Sequence, residues 1–305
     1  MRIEMANNLT IKILLTYHER NHIISSDIIS PIQTGCTLSP VIFKHMLQDD
    51  DGENISIDNP RYCELTAQYW AWKNYEKIGN PEYIGFMHWR RHFMFDGYEG
   101  NPKNVWLTNG NVYLFDKIDQ NYLEHIKDEY IYDAVRDCDC IVIKPYDVKN
   151  ICSQNIKEQF IKLPGLYHKE IFEIFIKTLK KHAPNFLDEI ELIENGSVQY
   201  LCNMFIMRKD LFFEYNELCF SILNEVDKQV DHSQMDEIQM RFLGYLGEFL
   251  LSIFIFNLKK RDRIRIKELN GSFIYQPPQV QPIPTYKHPS RAYLYYKLPY
   301  TRSYN

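Results

Sequence analysis

Four side chains able to hold an anion crowd into one short stretch. They are His88, Arg90, Arg91 and His92, in the run Tyr83-Ile-Gly-Phe-Met-His-Trp-Arg-Arg-His-Phe93. Guanidinium groups bind phosphate or carboxylate through paired hydrogen bonds, so two adjacent arginines suit an oxyanion. His88 can add a hydrogen bond whether neutral or protonated. The first half of the run is apolar and β-compatible. A strand that ends in such a cluster delivers it to the carboxyl edge of the sheet, where open α/β sheets bind ligands. Taken alone, the same pair would read as ordinary surface arginines.

Transfer of a sugar from a nucleotide donor fits this cluster. In the usual enzyme of that kind a strand ends in Asp-x-Asp and holds a divalent metal on the diphosphate. Here the strand ends in His88-Trp89-Arg90, and cationic side chains can neutralise the leaving group instead. No metal is then required, and no residue is assigned as a metal ligand. An inverting transfer also needs a carboxylate to deprotonate the acceptor hydroxyl, for which Asp236, Glu237 and Glu248 are candidates. Glu248 sits in an apolar stretch; the rival reading pairs it structurally with Arg241, seven residues earlier. A second alternative is a metal held by Asp49-Asp-Asp51, although a loop this acidic is more often solvated. A third is a carbohydrate-binding protein of polysaccharide assembly without catalysis, and a weaker one is a phosphatase or nucleotidyltransferase.

These groups need elements to position them. Residues 10–16 read as a first strand ending in Tyr17 and His18, placed to cover a base and meet its edge. Asn54, Ser56 and Asn59 are short hydrogen-bonding side chains suited to ribose or sugar hydroxyls. A helix is predicted over Tyr62–Tyr75, after Pro60 and with Glu64 in its first turn. Thr66, Tyr69 and Lys73 share one of its faces and would flank the ligand. Further strands are predicted at 112–115, 140–144 and 201–207, the last with Asn203 inside it. Helices are predicted at 122–136, 154–183 with a break at Leu163-Pro-Gly165, 211–229 and 233–258. Pro31-Ile-Gln-Thr-Gly35 reads as a turn after an irregular link. Residues 96–111 read as a loop, a candidate acceptor flap. The alternation favours an α/β sheet.

Composition bounds the rest. The 305 residues include only 12 Gly, with no GxGxxG and no GxxxxGK[ST]. The seven cysteines form no CxxC pair, which argues for a reducing compartment and against structural zinc. The N-terminus lacks the apolar stretch of a signal peptide, and the longest apolar run, near 249–256, is too short to span a bilayer. A cytoplasmic location follows as the expectation. The formal charge is -5, yet residues 258–305 hold ten Lys/Arg against two acids. That predicts a domain over 9–257 and a basic, Pro/Tyr-rich extension over 258–305 able to touch the inner membrane. The acidic body argues against nucleic acid.

Several blocks resemble the DUF4422 family. They are Asn54-Ile-Ser56 with Asn59, Cys63-Glu-Leu-Thr66, Tyr69-Trp-Ala-Trp-Lys-Asn74, Gly85–Phe93, Asn203-Met-Phe-Ile-Met207 and Arg241-Phe-Leu-Gly-Tyr-Leu-Gly-Glu248. The match runs in order over about residues 11 to 257. The resemblance implies a GT-A-like glycosyltransferase of bacterial surface-polysaccharide (capsule or O-antigen) synthesis. It would act on a UDP-sugar, in some members for galactosyl or galactofuranosyl transfer, with an oligosaccharide or lipid-linked glycan as acceptor. The family's positions fall on Asn54, Ser56, Asn59, Glu64, Tyr69, Lys73, His88, Arg90, Arg91, Asn203, Arg241 and Glu248. Trp89 and His92 stand where the family often has Tyr, and Phe249 where it usually has Arg.

Overall fold

The computed structural model describes residues 9–19, 22–95, 112–151, 153–162 and 169–274. The predicted flap at 96–111, the break at Leu163-Pro-Gly165 and the tail beyond 274 lie outside the described residues.

The strands are β1 (Ile11–Tyr17), β2 (Ile29–Gln33), β3 (Leu47–Gln48), β4 (Tyr83–His88), β5 (Arg91–Phe93) and β6 (Val112–Phe115). They continue with β7 (Cys140–Ile143), β8 (Tyr146–Asp147), β9 (Val198–Gln199), β10 (Phe205–Arg208), β11 (Ile266–Leu269) and β12 (Gly271–Ile274). Ten form one sheet whose main path is β11-β7-β10-β4-β1-β2-β3. β1, β2, β3 and β4 are parallel, and β10 runs antiparallel between β4 and β7. β1 and β4 are near-continuous apolar runs, buried on both faces of the sheet. Gly85 is needed in β4: a Cβ there would lie 2.7 Å from Ile206 Cγ1 on β10.

The helices are α1 (Asn59–Tyr62), α2 (Leu65–Lys73), α3 (Gln120–Glu124), α4 (Asp128–Val135) and α5 (Ile156–Lys162). They continue with α6 (Lys169–His182), α7 (Leu187–Asn195), α8 (Lys209–Asp227) and α9 (Phe242–Lys259). Residues Gln239–Lys259 are long and apolar enough to cross a membrane, but 78% of that window is buried inside the protein. α9 is therefore the central core helix.

The differences from expectation have local causes. The helix predicted from Tyr62 breaks at Cys63, whose φ is 53°. The strand predicted from 201 starts at Phe205, because Cys202 and Asn203 have φ of 75° and 48°. β2 stands where a link and turn are predicted around Pro31, a residue that nonetheless sits in register with Leu15.

The boundary drawn at 257/258 moves. α9 continues to Lys259, β11 pairs with β7, and β12 is held between β5 and β6 with Phe273 and Ile274 buried. The first cations of the supposed tail also face the body. Lys259 meets Glu268, Lys260 meets Asp188 and Glu189, Arg261 meets Glu214, and Arg265 meets Asp139. Lys287, Arg291, Lys297 and Arg302 lie outside the described residues.

Candidate active site

The carboxyl ends of the parallel strands β1 and β4 lie side by side, with Thr16 opposite His88. His18 follows the first strand and Trp89-Arg90 the second. The chain then reverses tightly into β5, so that His88 pairs with Arg91. Arg90 and Arg91 are only 6% and 7% exposed. The Arg90 guanidinium lies 4.3 Å from the Trp89 ring centre and 5.7 Å from that of Phe273, and Arg91 lies 5.6 Å from Phe273. Aromatic faces hold guanidinium groups without occupying their N–H donors.

Three further segments converge on this edge. Cys63-Glu64 precedes α2, Cys202-Asn203 precedes β10, and Arg241, Gly244, Tyr245 and Glu248 sit at the start of α9. Asn203 Nδ2 donates to Glu64 Oε1 at 2.9 Å and to the Gly244 carbonyl at 3.0 Å. His88 Nε2 lies 3.2 Å from the Cys202 carbonyl and 3.7 Å from Glu64 Oε1. A carbonyl only accepts, so His88 carries its proton on Nε2. Burial first, then the Arg91 charge, push His88 down to about 3. It is therefore a neutral, orienting group at neutral pH.

Cys63, Cys202 and Asn203 all have positive φ, rare for residues other than glycine. Such conformations cluster where a site dictates them. Asn203 Oδ1 is buried with no hydrogen-bond partner among the described residues. The glycines of α9 allow its close approach. A Cβ at Gly247 would lie 2.7 Å from Leu65 Cδ1 and 3.1 Å from Asn203 Oδ1, and one at Gly244 would lie 3.0 Å from Cys63 Sγ.

Between these parts is a cavity of about 20 Å³, lined by Cys63, Glu64, Arg91, Arg241, Gly244, Tyr245 and Glu248. It has room for about one water molecule. Two carboxylates and two guanidinium groups thus line one small, partly open cavity. A wider open cleft of about 670 Å³ lies at the other end of the sheet, beside Tyr83 and Arg208. There Arg208 is bound by Asp139 and Asp210, and Lys209 sits over the Tyr75 ring. Arg208 is thus tied to two carboxylates at that end of the sheet.

The structure separates the candidates read from sequence. His18, His88, Arg90, Arg91, Asn203 and Glu248 come together. Tyr17 does not: it is fully buried, and its hydroxyl is tied to the backbone of His22 and Ile24. Asn54 donates to the carbonyls of Asp50 and Gly52, and Asn59 to the carbonyl of Cys63 and to Thr66 Oγ1. Ser56 is buried on Asp49. These three side chains shape loops. Tyr69 and Lys73 both meet Glu53, Tyr69 packs on Phe220, and Lys73 lies 3.8 Å from the Trp72 ring centre, facing α8. Asp236 is exposed and accepts from Ile238 N and Gln239 N, capping the short turn before α9. His92 turns into the core, where Nδ1 lies 2.6 Å from the Tyr122 hydroxyl. Cys63 and Tyr245 join the site without any signal in the sequence. Glu64 and Arg241, read from sequence as a first-turn acid and a partner of Glu248, are assigned to a site only through the family resemblance, since residues so far apart in the chain meet only in the fold.

In the Asp49–Asp51 loop, the carboxylate of Asp49 is turned into the protein. Asp49 is fully buried and accepts from Gly35 N, Cys36 N, Ser56 Oγ and Thr66 Oγ1 at 2.6–3.0 Å. Its oxygens are committed to the protein. Asp51 pairs with Lys77.

With the geometry placed, the relatives can be named. A model of a domain of unknown function, DUF4422, matches residues 12–260. The chain belongs to that family. Among solved structures it is similar to the apo form of WbbM, a bifunctional glycosyltransferase, at 29% identity with a TM-score of 0.79. The similarity covers 91% of this chain and 48% of WbbM, so the chain spans about half the length of that relative. No curated protein matches. The DUF4422 chain thus has a GT-A-like α/β fold, with a central, largely parallel sheet.

One pH prediction follows for this DUF4422 protein. Burial holds His88 and His92 near 3 and His125 near 4, all below the ordinary 6.5. The folded state therefore disfavours their protonation. That stability is fully present above about 6.5 and is lost as the pH falls toward 3–4. A melting series is expected to show Tm falling from pH 7 to pH 4. A flat profile would mean that the rings are solvated.

Proposed function

We propose that this protein is a glycosyltransferase that moves a sugar from a nucleoside diphosphate donor, UDP-linked in the simplest case, to a bacterial surface glycan. The observation that carries the reading is one meeting of charges. Arg90 and Arg91 follow His88 at the carboxyl end of β4, and Arg91 and Arg241 line the same cavity. The likeness to WbbM supports a glycosyltransferase role for that cluster.

Three guanidinium groups can neutralise a diphosphate as it departs, which makes a bound metal unnecessary. Glu248, 6% exposed and lining the cavity, is the base that removes the acceptor proton in an inverting displacement. Asn203 and His88 hold Glu64 beside it. The acceptor is an oligosaccharide or a lipid-linked glycan, and the donor sugar is galactose or galactofuranose. The site of action is the cytoplasmic face of the inner membrane.

The reading is tested by titrating the protein calorimetrically with UDP-, GDP- and CMP-sugars, with and without EDTA. One donor is expected to bind equally well in both conditions. Arg90→Ala should then weaken it by about 2–5 kcal/mol, the cost of removing one member of a charged pair from a desolvated site. Absence of binding by every nucleotide sugar would overturn the transferase reading. Binding abolished by EDTA would overturn the metal-free part alone.

A further inference from the structure

The indole of Trp89 serves two site groups at once. Its face carries the Arg90 guanidinium at 4.3 Å, and its edge donates from Nε1 to His18 Nδ1 at 3.3 Å. Trp89 is itself 3% exposed, so both interactions start from a fixed ring. An indole N–H can only donate. His18 Nδ1 must then be the unprotonated nitrogen, and a neutral His18 carries its hydrogen on Nε2. The ring is neutral because Nδ1 accepts this bond, and His18 itself is exposed at the end of β1.

We propose that Trp89 is a positioning residue that fixes His18 as an Nε2–H donor and Arg90 as its companion, so that the ends of β1 and β4 meet one oxyanion. The ligand class is a pyrophosphate group. This deepens the donor reading above and rests on it only for the identity of the anion. A phenylalanine at this position keeps the ring face for Arg90 and removes the N–H. A tyrosine restores a donor at a different reach. Without the indole proton, the hydrogen bond that keeps His18 Nδ1 unprotonated is lost.

The test uses the full chain labelled with ¹⁵N-histidine, with the His18 signals identified by their loss in His18→Gln. In the wild type, Nδ1 should resonate as unprotonated and Nε2 as protonated. In Trp89→Phe the two should move toward a tautomer mixture. Inorganic pyrophosphate is the calorimetric probe. Trp89→Phe is expected to weaken it about tenfold, the scale of one hydrogen bond to a charged group. Trp89→Tyr should recover part of that loss. Trp89→Phe combined with His18→Gln should cost little more than His18→Gln alone, since the two act through one hydrogen bond. Unchanged His18 signals in Trp89→Phe, or fully additive losses, would overturn the positioning role. Failure of wild-type protein to bind pyrophosphate would overturn the anion assignment. Both results could stand while sugar transfer failed, and that outcome would count against the function reading alone.

Discussion

Glu248→Gln is expected to lower turnover by about 10²–10⁴-fold, the usual contribution of a positioned general base. Donor affinity should hold or rise. Glu248 shares its cavity with Arg91 and Arg241, so removing its charge leaves the guanidinium groups less neutralised. Single-turnover transfer, measured beside donor calorimetry, separates the two effects. Glu64→Gln is the informative partner. Glu64 accepts from Asn203 at 2.9 Å and lies 3.7 Å from His88, so it is held more tightly than a base that must exchange protons with substrate. Its loss should loosen the Cys202-Asn203 turn and raise the donor Kd as well as lower the rate. If Glu64→Gln abolished turnover while Glu248→Gln left it intact, the two carboxylates would exchange roles.

The second large effect concerns stability. Asp49→Ala removes the acceptor of two backbone N–H groups and two hydroxyls in a fully buried spot. Each buried donor left unpaired costs about 1–3 kcal/mol, and the four are not additive. The expected loss is at least about 3 kcal/mol, or roughly 5 °C in Tm for a chain of this size. Asp49→Asn keeps the shape and one carbonyl acceptor, and should fall between. A metal-binding role predicts a different pattern: Asp49→Asn would abolish activity at nearly constant Tm, and EDTA would lower the Tm of the wild type. Differential scanning fluorimetry with a chelator arm distinguishes them.

Much of the site's frame is legible in the sequence because it rests on composition within single segments. β1, β4 and β7 are dense in Ile, Val, Leu and Phe, and the cluster His88-Trp-Arg-Arg91 interrupts such a run at a strand end. What stays hidden depends on which way a side chain turns. Tyr69 and Lys73 do share a helix face, but that face meets Glu53 and Phe220. Asn54, Ser56 and Asn59 have the hydrogen-bonding capacity a sugar needs, yet the nearby backbone and Asp49 consume it first. Tyr17 is one position too early, since the strand's last residue points into the core and His18 carries the exposure. β11 and β12 escape notice because a basic stretch with few apolar residues reads as tail, whereas the acids that match its cations lie as far back as Asp139. The positive-φ conformations at Cys63 and Cys202 carry no signal in residue type, since cysteine is not a usual occupant of that region, whereas Asn203 is of a type enriched there.

The place of β12 has a consequence for biosynthesis. Phe273, under both arginines, lies on a strand inserted between β5 and β6, and Ser272 pairs with His92, 180 residues earlier. A nascent chain on the ribosome has therefore exposed nearly the whole sheet and helices α1 to α9 before the floor of its anion site arrives. Products released early, before residue 271 has emerged, would carry the fold's bulk without a competent cluster. Translation that stops short of β12 leaves the arginines without Phe273 and β6 without its partner strand, a ready target for proteolysis.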